Sequence, residues 1–530
     1  MQIESESGAG GGTGSDKQEV SMLANREKWR AVTLCTLAGA CATAHAEVRF
    51  IRADLATGAN TGTSWADAFR GPDALARAIS ASSAGDHLWV AGGATRYIPS
   101  ITGDRAATFP LKAGVTLLGG FAGDESQADQ RNPAANPTIL SGDLSGNDGA
   151  WPTTTGRGEN SHHVLSATGV DMSGTIDGFT ITGGYANVGG QGLDSDKGAG
   201  LIVLSGGAPS IINCRFVNNR TTFGGGAVYI RQSSPTLTDC VLSSNIGGTY
   251  GGACDMAGFC NPVWTRCRIE NNTAGRAGGV EVFGNSQPVF SNCLFTGNTS
   301  TATATMAPKG GGGLYIQQSS VTVRNCTFAG NTSAVSGGGI LAVNSAVRVA
   351  NSILWNNRGP GNATTGEQLV GSAFTALYSI VQGGYAGGTA IQTADPLFVS
   401  AADYHLQAAS PAIDAGNNAE AGAEAADLDR RSRKIDDPRR ADTGAGGLPV
   451  VDIGCFERPY HCPADMGGAG GTPGADGQLD NNDFVVFIDR FFTSTPSADL
   501  GGTGGTPGAD GRFDNNDFVV FIDAFFAACP

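Results

Sequence analysis

The chain has 530 residues, of which 81 are glycine and only 15% are charged, and its net charge is −15 at pH 7. This composition fits a turn-rich β protein long enough for several domains. The negative charge argues against nucleic acid and against an anionic membrane surface as partners.

The first 46 residues read as a leader. Residues 1–21 show no pattern and are interpreted as a spurious extension before a true start at Met22. Residues 22–46 have a basic start, an apolar middle and a closing Ala44-His45-Ala46, as in secretory signal peptides. We expect cleavage before Glu47 and a secreted, extracellular or cell-surface protein, with a lipoprotein processed at Cys41 as the alternative. No later run approaches the roughly 18 apolar residues of a transmembrane span, so none is expected.

The mature chain is predicted to begin with strands and one short helix. The strands are expected near residues 48–51, 87–90, 115–118 and 138–140, and the helix over residues 71–79. Because a repeat array has open ends that invite aggregation, we expect this helix to cap the first end.

A repeat dominates the middle of the chain, from about Gly198 to Gln392. One motif position is occupied by Cys214, Cys240, Cys267, Cys293, Cys326 and Ser352, at steps of 26, 27, 26, 33 and 26 residues. Five residues after each of them comes Asn219, Asn245, Asn272, Asn298, Asn331 or Asn357. A fixed period of this size indicates a solenoid, propeller or array.

The local pattern selects among these architectures. The segments alternate between apolar and polar residues, as in residues 236–242 and 321–326, which predicts short half-buried strands. A repeat of 26 residues is too short for a propeller blade, which needs about 40–45. The sequence therefore predicts an all-β fold, a parallel β-helix spanning residues 47–457.

The repeated positions have physical roles in such a fold. The cysteines should form one inward row up the core as buried thiols, with disulfides between coils as the other interpretation. The asparagines mark turns, where this residue tolerates a left-handed backbone, and can bond to one another along the axis. The seven extra residues between Cys293 and Cys326 should form a loop at about 299–310. Cys254 and Cys260 could close a small loop.

Several stretches resemble the bacterial secreted right-handed parallel β-helix proteins, which are similar to the polymorphic outer-membrane-protein repeat group. The resemblance rests on residues 62–69, 119–123, 136–143, 177–184, 395–398, 410–416 and 451–457. It implies a right-handed coil and little about activity. Residues 424–440 form a charged cluster, which we interpret as a solvated loop, with a ligand site as the alternative.

A second repeat occupies residues 458–530. The segment from Ala464 to Phe492 recurs 34 residues later, from Ala498 to Phe526. Each copy has aspartates at alternating positions with a glycine, as in positions 5–12 of a calcium loop, and then an apolar helix pattern. Two such loops, each followed by one helix, resemble a dockerin, in which calcium binding would be coupled to folding. Cys462 and Cys529 bracket the module and could form a bridge.

The dockerin resemblance implies two calcium sites. One would consist of Asp465, Asp476, Asp480 and Asp483, and the other of Asp499, Asp510, Asp514 and Asp517. About seven extra residues would be looped out of each site, and Gly467 and Gly501 replace the usual ligand at position 3.

No catalytic constellation is visible in the sequence. The acids of the repeats, namely Asp239, Asp255, Glu270 and Glu281, are not expected to share a position in consecutive coils. We therefore expect a non-catalytic secreted or cell-surface protein that contacts carbohydrate or cell-surface material. A cohesin-like or envelope anchoring partner would hold it through the dockerin-like module. The alternative is a polysaccharide lyase or glycoside hydrolase whose site lies on the β-helix or in loops such as 183–197 and 299–310.

Overall fold

A computed structural model describes residues 46–189, 194–301, 310–371, 374–437, 440–459, 462, 464–468, 470–473, 479–502 and 504–526. The chain forms a parallel β-helix, in which each strand pairs in parallel with the equivalent strand one coil along. This confirms the predicted fold class.

The first wall of the β-helix, face 1, is a nine-stranded sheet. Its strands are Phe109–Pro110, Leu165–Thr168, Leu201–Leu204, Val228–Arg231, Cys254–Ala257, Val280–Phe283, Leu314–Gln317, Ile340–Val343 and Leu369–Gly371.

The other two walls, face 2 and face 3, belong to one twenty-stranded sheet that bends once in each coil. Face 2 comprises Val48–Ile51, His87–Ala91, Thr116–Phe121, Thr175–Asp177, Ser210–Ile212, Thr236–Thr238, Val263–Thr265, Val289–Ser291, Ser320–Arg324 and Ala346–Ala350. Face 3 comprises Thr138–Ser141, Phe179–Thr182, Arg215–Val217, Val241–Ser243, Arg268–Glu270, Leu294–Thr296, Thr327–Ala329 and Ile353–Trp355. Phe374–Val381 continues both faces, and Thr389–Gln392 pairs with it.

Short elements complete the coils. Two-residue strands follow face 3 at Tyr185–Ala186, Arg220–Thr221, Thr273–Ala274, Thr299–Ser300 and Thr332–Ser333. Single 3-10 turns lie at Ala128–Gln130, Arg157–Glu159, Pro360–Asn362 and Pro496–Ala498. The expected loop at 299–310 thus begins with a strand, and its residues 302–309 lie outside the described residues.

The predicted N-terminal helix spans Ala74–Ala81. Its buried residues, Ala74, Leu75, Ala78 and Ile79, belong to the same apolar core as the first strands of face 2. The helix therefore closes the N-terminal end of the core, as expected.

The core is filled by the inward positions of the three faces. On face 3 these are aromatic or aliphatic, and the rings of Phe295 and Phe328 stack with their centroids 4.3 Å apart. Because neighbouring coils lie about 4.8 Å apart, equivalent side chains in successive coils meet directly.

The predicted inward row of cysteines is confirmed. All five are fully buried free thiols at the bend between faces 2 and 3. The backbone N–H of Cys267 points to the sulfur of Cys293, and that of Cys293 points to the sulfur of Cys326. Ser352 and Ser379 continue the row, and each hydroxyl accepts the backbone N–H of the preceding member. Neither disulfides between coils nor a Cys254–Cys260 bridge forms, since these cysteines are all free.

The asparagine row is also confirmed, with one correction. Each side chain donates to the next member, at 2.9 Å from Asn245 to Asn272 and 3.0 Å from Asn272 to Asn298. The left-handed backbone, however, belongs to the preceding residue, for example Asn271 (φ 55°). Only that outward position permits the tight turn while the asparagine itself points inward.

The C-terminal module contains the two expected helices, Asn481–Phe492 and Asn515–Phe526. A two-residue antiparallel hairpin precedes each helix, formed by Gly467–Gly468 with Thr472–Pro473 and by Gly501–Gly502 with Thr506–Pro507. The rings of Phe487 and Phe521 stack at 3.9 Å in the small shared core.

Candidate functional site

Residues 417–430, here called the strap, run across the outside of the bend between faces 2 and 3. The side-chain amides of Asn351, Asn325 and Asn292 donate to the carbonyl oxygens of Asn417, Ala421 and Ala426 at 3.0, 2.8 and 3.1 Å. These asparagines are the residues that precede the Ser352, Cys326 and Cys293 positions. The strap therefore crosses successive coils in the direction of the N-terminus.

Ion pairs hold the strap at both ends. Arg348 forms a bidentate pair with Glu420 near its start. Near its end, Asp429 accepts from Arg268 at 3.4 Å and contacts the imidazole of His405 at 2.7 Å. The strap thus holds a second segment, residues 398–405, against face 3 through its contact with His405.

That second segment and face 3 enclose a groove of about 550 Å³. Its floor consists of the outward residues of four consecutive coils, from Arg268 and Glu270 to Trp355 and Arg358. With coils about 4.8 Å apart, the floor is roughly 14 Å long. This is the length of a short oligosaccharide or peptide lying along the axis.

The groove wall is aromatic and is fixed in place. Phe398 and Tyr404 pack edge to face with centroids 5.2 Å apart, and the Tyr404 hydroxyl bonds that of Thr296 at 2.6 Å. Trp355 is half-buried at the opposite end of the floor. Flat rings that are partly exposed offer apolar faces together with polar edges.

The charges in the groove are mainly positive. Arg358 is exposed and forms no ion pair within the described part of the chain. Arg268 interacts with Asp429, lies 3.9 Å from Glu270 and stands over the Phe456 ring at 5.6 Å. Glu270 is the one acid among the residues that line the groove. The groove therefore lacks the carboxylate pair that hydrolysis of a glycosidic bond requires.

His405 lies behind this wall between two carboxylates, those of Asp403 and Asp429, and its ring lies against Phe456 at 4.0 Å. Burial lowers the pKa of His405, but hydrogen bonds to Asp429 and Asp403 outweigh burial and raise it. The imidazole links the groove wall to the strap through its contacts with Asp403 and Asp429.

The charged cluster at 424–440 differs from our expectation of a solvated loop. Asp427, Arg433 and Asp437 are buried. Arg433 donates to the carbonyl oxygens of Gly454 and Asp452 at 3.0 and 2.8 Å and lies 3.5 Å from Glu457. The sequence could not reveal this, because the partners come from a non-repeating segment.

A second correction concerns the acids of the coils. Asp255 and Glu281 are register partners on face 1, so they do share a position in consecutive coils. Both are buried, and Glu281 forms an ion pair with Arg276, which lies between the rings of Tyr250 and Tyr315 at 4.4 and 4.8 Å. Burial and the charge of Glu281 raise the pKa of Asp255. Since substrate has no open route to a pair that is 5% and 1% exposed, we interpret it as structural.

The predicted calcium ligands that the structure describes take part in hydrogen bonds within the module. Asp483 and Asp517 are fully buried, and each accepts three backbone N–H bonds, those to Asp517 coming from Leu500, Gly501 and Asp514. Asp480 and Asp514 accept the N–H of the residue two positions on, at the start of each helix.

The remaining candidate ligands lie on the loops. Asp499 accepts from the backbone of Asp510 and Gly511 at 3.0 and 2.8 Å. Asp465 is described, whereas Asp476 lies outside the described residues. Within the described chain, no three of these carboxylates come within 4.8 Å of one another. Calcium binding here remains a prediction, as does the bridge: Cys462 is disulfide-bonded, but Cys529 lies outside the described residues.

Apart from Glu270, which was named as an acid of the repeats, the groove residues were not identified from the sequence. Trp355 and Glu270 occupy equivalent positions of face 3, so the alternation could have placed both outward, but nothing periodic marks Tyr404 or Phe398. Among the described residues, no helix is both long and apolar enough to cross a membrane.

A family model agrees with this architecture, and two solved structures show similarity to the chain. Residues 199–377 match the family model for the right-handed beta helix region. A crystal structure of the pectate lyase Pel9A is similar at 14% identity and a TM-score of 0.43, covering 78% of this chain and 97% of that one. The carrot pectin methylesterase is similar at 13% identity and a TM-score of 0.29, covering 61% and 88%. No curated protein matches the sequence. The chain is therefore a parallel β-helix protein whose central coils match the right-handed class.

Proposed function

We propose that this chain is a secreted, non-catalytic β-helix protein that binds polysaccharide in the groove on face 3. The observation that carries the proposal is the groove itself, in which the rings of Trp355, Phe398 and Tyr404 stand along a floor four coils long. Partly exposed aromatic rings suit the apolar faces of sugar rings, and the asparagine and threonine side chains nearby suit hydroxyl groups.

The charges in the groove favour an acidic polysaccharide. Arg358 has no carboxylate partner in the described chain, and arginine binds carboxylate in a two-pronged geometry. A uronate-bearing chain would supply such a group. The absence of an acid pair among the groove residues supports binding without cleavage over glycoside hydrolysis. Elimination by a lyase needs no such pair, and the assay for unsaturated products tests it.

The test is binding of the purified chain to an oligosaccharide array that contains uronate-bearing and neutral members. We expect selective binding to uronates, with Trp355→Ala and Arg358→Gln each weakening it by about tenfold, since one good contact of this kind contributes about 1–2 kcal/mol. Matched controls outside the groove are Phe283→Ala, an exposed aromatic on face 1, and Arg215→Gln, an exposed arginine on face 3.

Two results would overturn this proposal. One is binding that the groove variants and their controls reduce equally, which would place the ligand elsewhere. The other is release of new reducing ends or unsaturated products from a bound polysaccharide. Enzymatic activity lost on Asp255→Asn or Glu281→Gln would point to face 1 instead.

We further propose that the C-terminal module docks the chain to a cohesin-like or envelope partner. Its two helices expose apolar side chains at equivalent positions, with Val485 and Val519 50% and 40% exposed, and Phe492 and Phe526 76% and 79% exposed. Repetition of the same exposed pairs supports a partner with an apolar groove. The double variant Phe492→Ser with Phe526→Ser should release the protein from the cell envelope into the medium, whereas Trp355→Ala should not. Equal retention of both variants would contradict docking through these helices.

A further inference from the structure

Three carboxylates converge at the C-terminal end of the β-helix, outside the groove. Asp414, Asp436 and Asp442 each offer one oxygen atom, and these atoms all lie within 4.8 Å of one another. Asp436 and Asp442 are exposed, whereas Asp414 is fully buried. Three negative charges this close repel one another unless a proton or a cation lies between them.

The buried member is rigidly held. Asp414 donates its backbone N–H to Asp452 at 2.8 Å, and its carbonyl oxygen accepts from Thr443 and Gly444 at 3.0 and 3.1 Å. Its Oδ2 accepts from the Asp437 backbone at 3.3 Å. These bonds fix the direction of the Asp414 carboxylate but engage only one of its two oxygen atoms.

One oxygen of that carboxylate is unsatisfied. Oδ1 of Asp414 is shielded from solvent and has no hydrogen-bond partner within the described chain. A buried, unpaired carboxylate oxygen is costly, and such groups normally have a partner, which can be a bound water or ion. The orphaned atom is an observation independent of the acidic cluster.

The described basic side chains nearby already have partners. Arg433 binds Glu457 and two carbonyl oxygens, and Arg458 pairs with Asp437 at 2.5 Å. Among the described residues, which omit 438 and 439, no basic side chain forms an ion pair with Asp414, Asp436 or Asp442. Burial and the neighbouring carboxylates of Asp452, Asp436 and Asp442 raise the pKa of Asp414 to about 7.

We propose that Asp414, Asp436 and Asp442 bind a calcium ion at the end of the β-helix. The ligands are all carboxylates with no histidine or cysteine, which excludes a preference for zinc or copper and favours a hard cation. One buried and two exposed ligands leave room for several waters, which suits the loose coordination shell of calcium better than the strict octahedron of magnesium. The ion would join the segment after the strap to the segment that holds Asp414.

The experiment is calorimetric titration of calcium into the full chain after chelation. The key variant is Asp436→Asn with Asp442→Asn, because both side chains are exposed and the fold should survive. The control is Asp124→Asn with Asp129→Asn, which changes the net charge equally at exposed sites elsewhere. Asp480→Asn with Asp514→Asn in the same background separates any calcium bound by the C-terminal module.

We expect the key variant to lose one calcium-binding event per chain and part of the calcium-dependent rise in melting temperature, while the control keeps both. Asp414→Asn should lose the same event, with circular dichroism showing whether it folds. The proposal is wrong if the key variant binds as many calcium ions as the control, or if every binding event disappears with Asp480→Asn and Asp514→Asn alone.

Discussion

The asparagine row allows a quantitative test of what holds the coils together, through the substitution Asn272→Ala. The Asn272 side chain donates to the carbonyl of Leu242 at 2.8 Å and to Asn298 at 3.0 Å. Its oxygen accepts the backbone N–H and the side-chain amide of Asn245 at 3.0 and 2.9 Å. The alanine variant removes all four bonds at a fully buried position.

The cost follows from which groups lose every partner. The backbone N–H of Asn245 has no other partner in the described chain, and an orphaned buried donor costs about 1–3 kcal/mol. The side-chain amide of Asn245 keeps its bonds to Phe216 and Ser243. The other lost bonds contribute about 0.5–1.5 kcal/mol each. We expect the free energy of unfolding to fall by about 3–5 kcal/mol.

Urea unfolding, followed by tryptophan fluorescence and by circular dichroism, measures this loss. The control is Asn261→Ala, because Asn261 is exposed and its oxygen accepts a single backbone N–H from Gln287. We expect the control to change stability by less than about 0.5 kcal/mol. If the two variants differ by less than about 1 kcal/mol, the hydrogen-bond reasoning for the row is refuted.

Three further predictions concern other parts of the chain. Cys326→Ser should lower the stability measured by thermal melting by less than about 1 kcal/mol, because serine already occupies this row in the next coil. Cys326→Leu should lower it by about 1–3 kcal/mol through overpacking. Equal losses would contradict an inward row. The raised pKa of His405 stabilises the fold fully below its unfolded pKa of about 6.5 and less as pH rises through the folded value. The melting temperature should therefore decline in that window for the wild type and not for His405→Gln. In the C-terminal module, Asp517→Asn should lower the melting temperature even in chelator, because the carboxylate accepts backbone N–H bonds. Asp510→Asn should lower the melting temperature only when calcium is present. A loss in chelator for Asp510→Asn but not for Asp517→Asn would refute these roles.

The repeating part of this protein could be predicted and the non-repeating part could not, for a physical reason. Each coil makes the same contacts as its neighbours. The regular spacing of the positions of Cys293 and Asn298 was therefore enough to predict the fold, the inward row of cysteines and the hydrogen-bonded row of asparagines. The left-handed residue lies one position before the predicted one. Asn271 and Asn272 are both asparagine and leave the choice open, but Gly297 and Gly330 occupy the earlier position in two other coils and could have indicated it.

The strap and the groove depend instead on contacts between residues 66 to 134 positions apart, such as Asn351 with Asn417 and Asn292 with Ala426. No local pattern encodes such partners. The pairing of Asp255 with Glu281 was missed for a different reason. Asp255 lies 12 residues before Cys267, and Glu281 lies 12 residues before Cys293, so aligning each coil on the cysteine that follows it would have shown the pair.

The strap also changes how this solenoid should come apart. In an array whose coils contact only their neighbours, stability is close to a sum of nearest-neighbour terms, and coils can peel away one at a time from an end. Here a single segment is bonded to the coils of Asn351, Asn325 and Asn292 together. Peeling the last of these coils therefore strains the attachment of the other two, so this part of the array should resist stepwise fraying and open as one cooperative block.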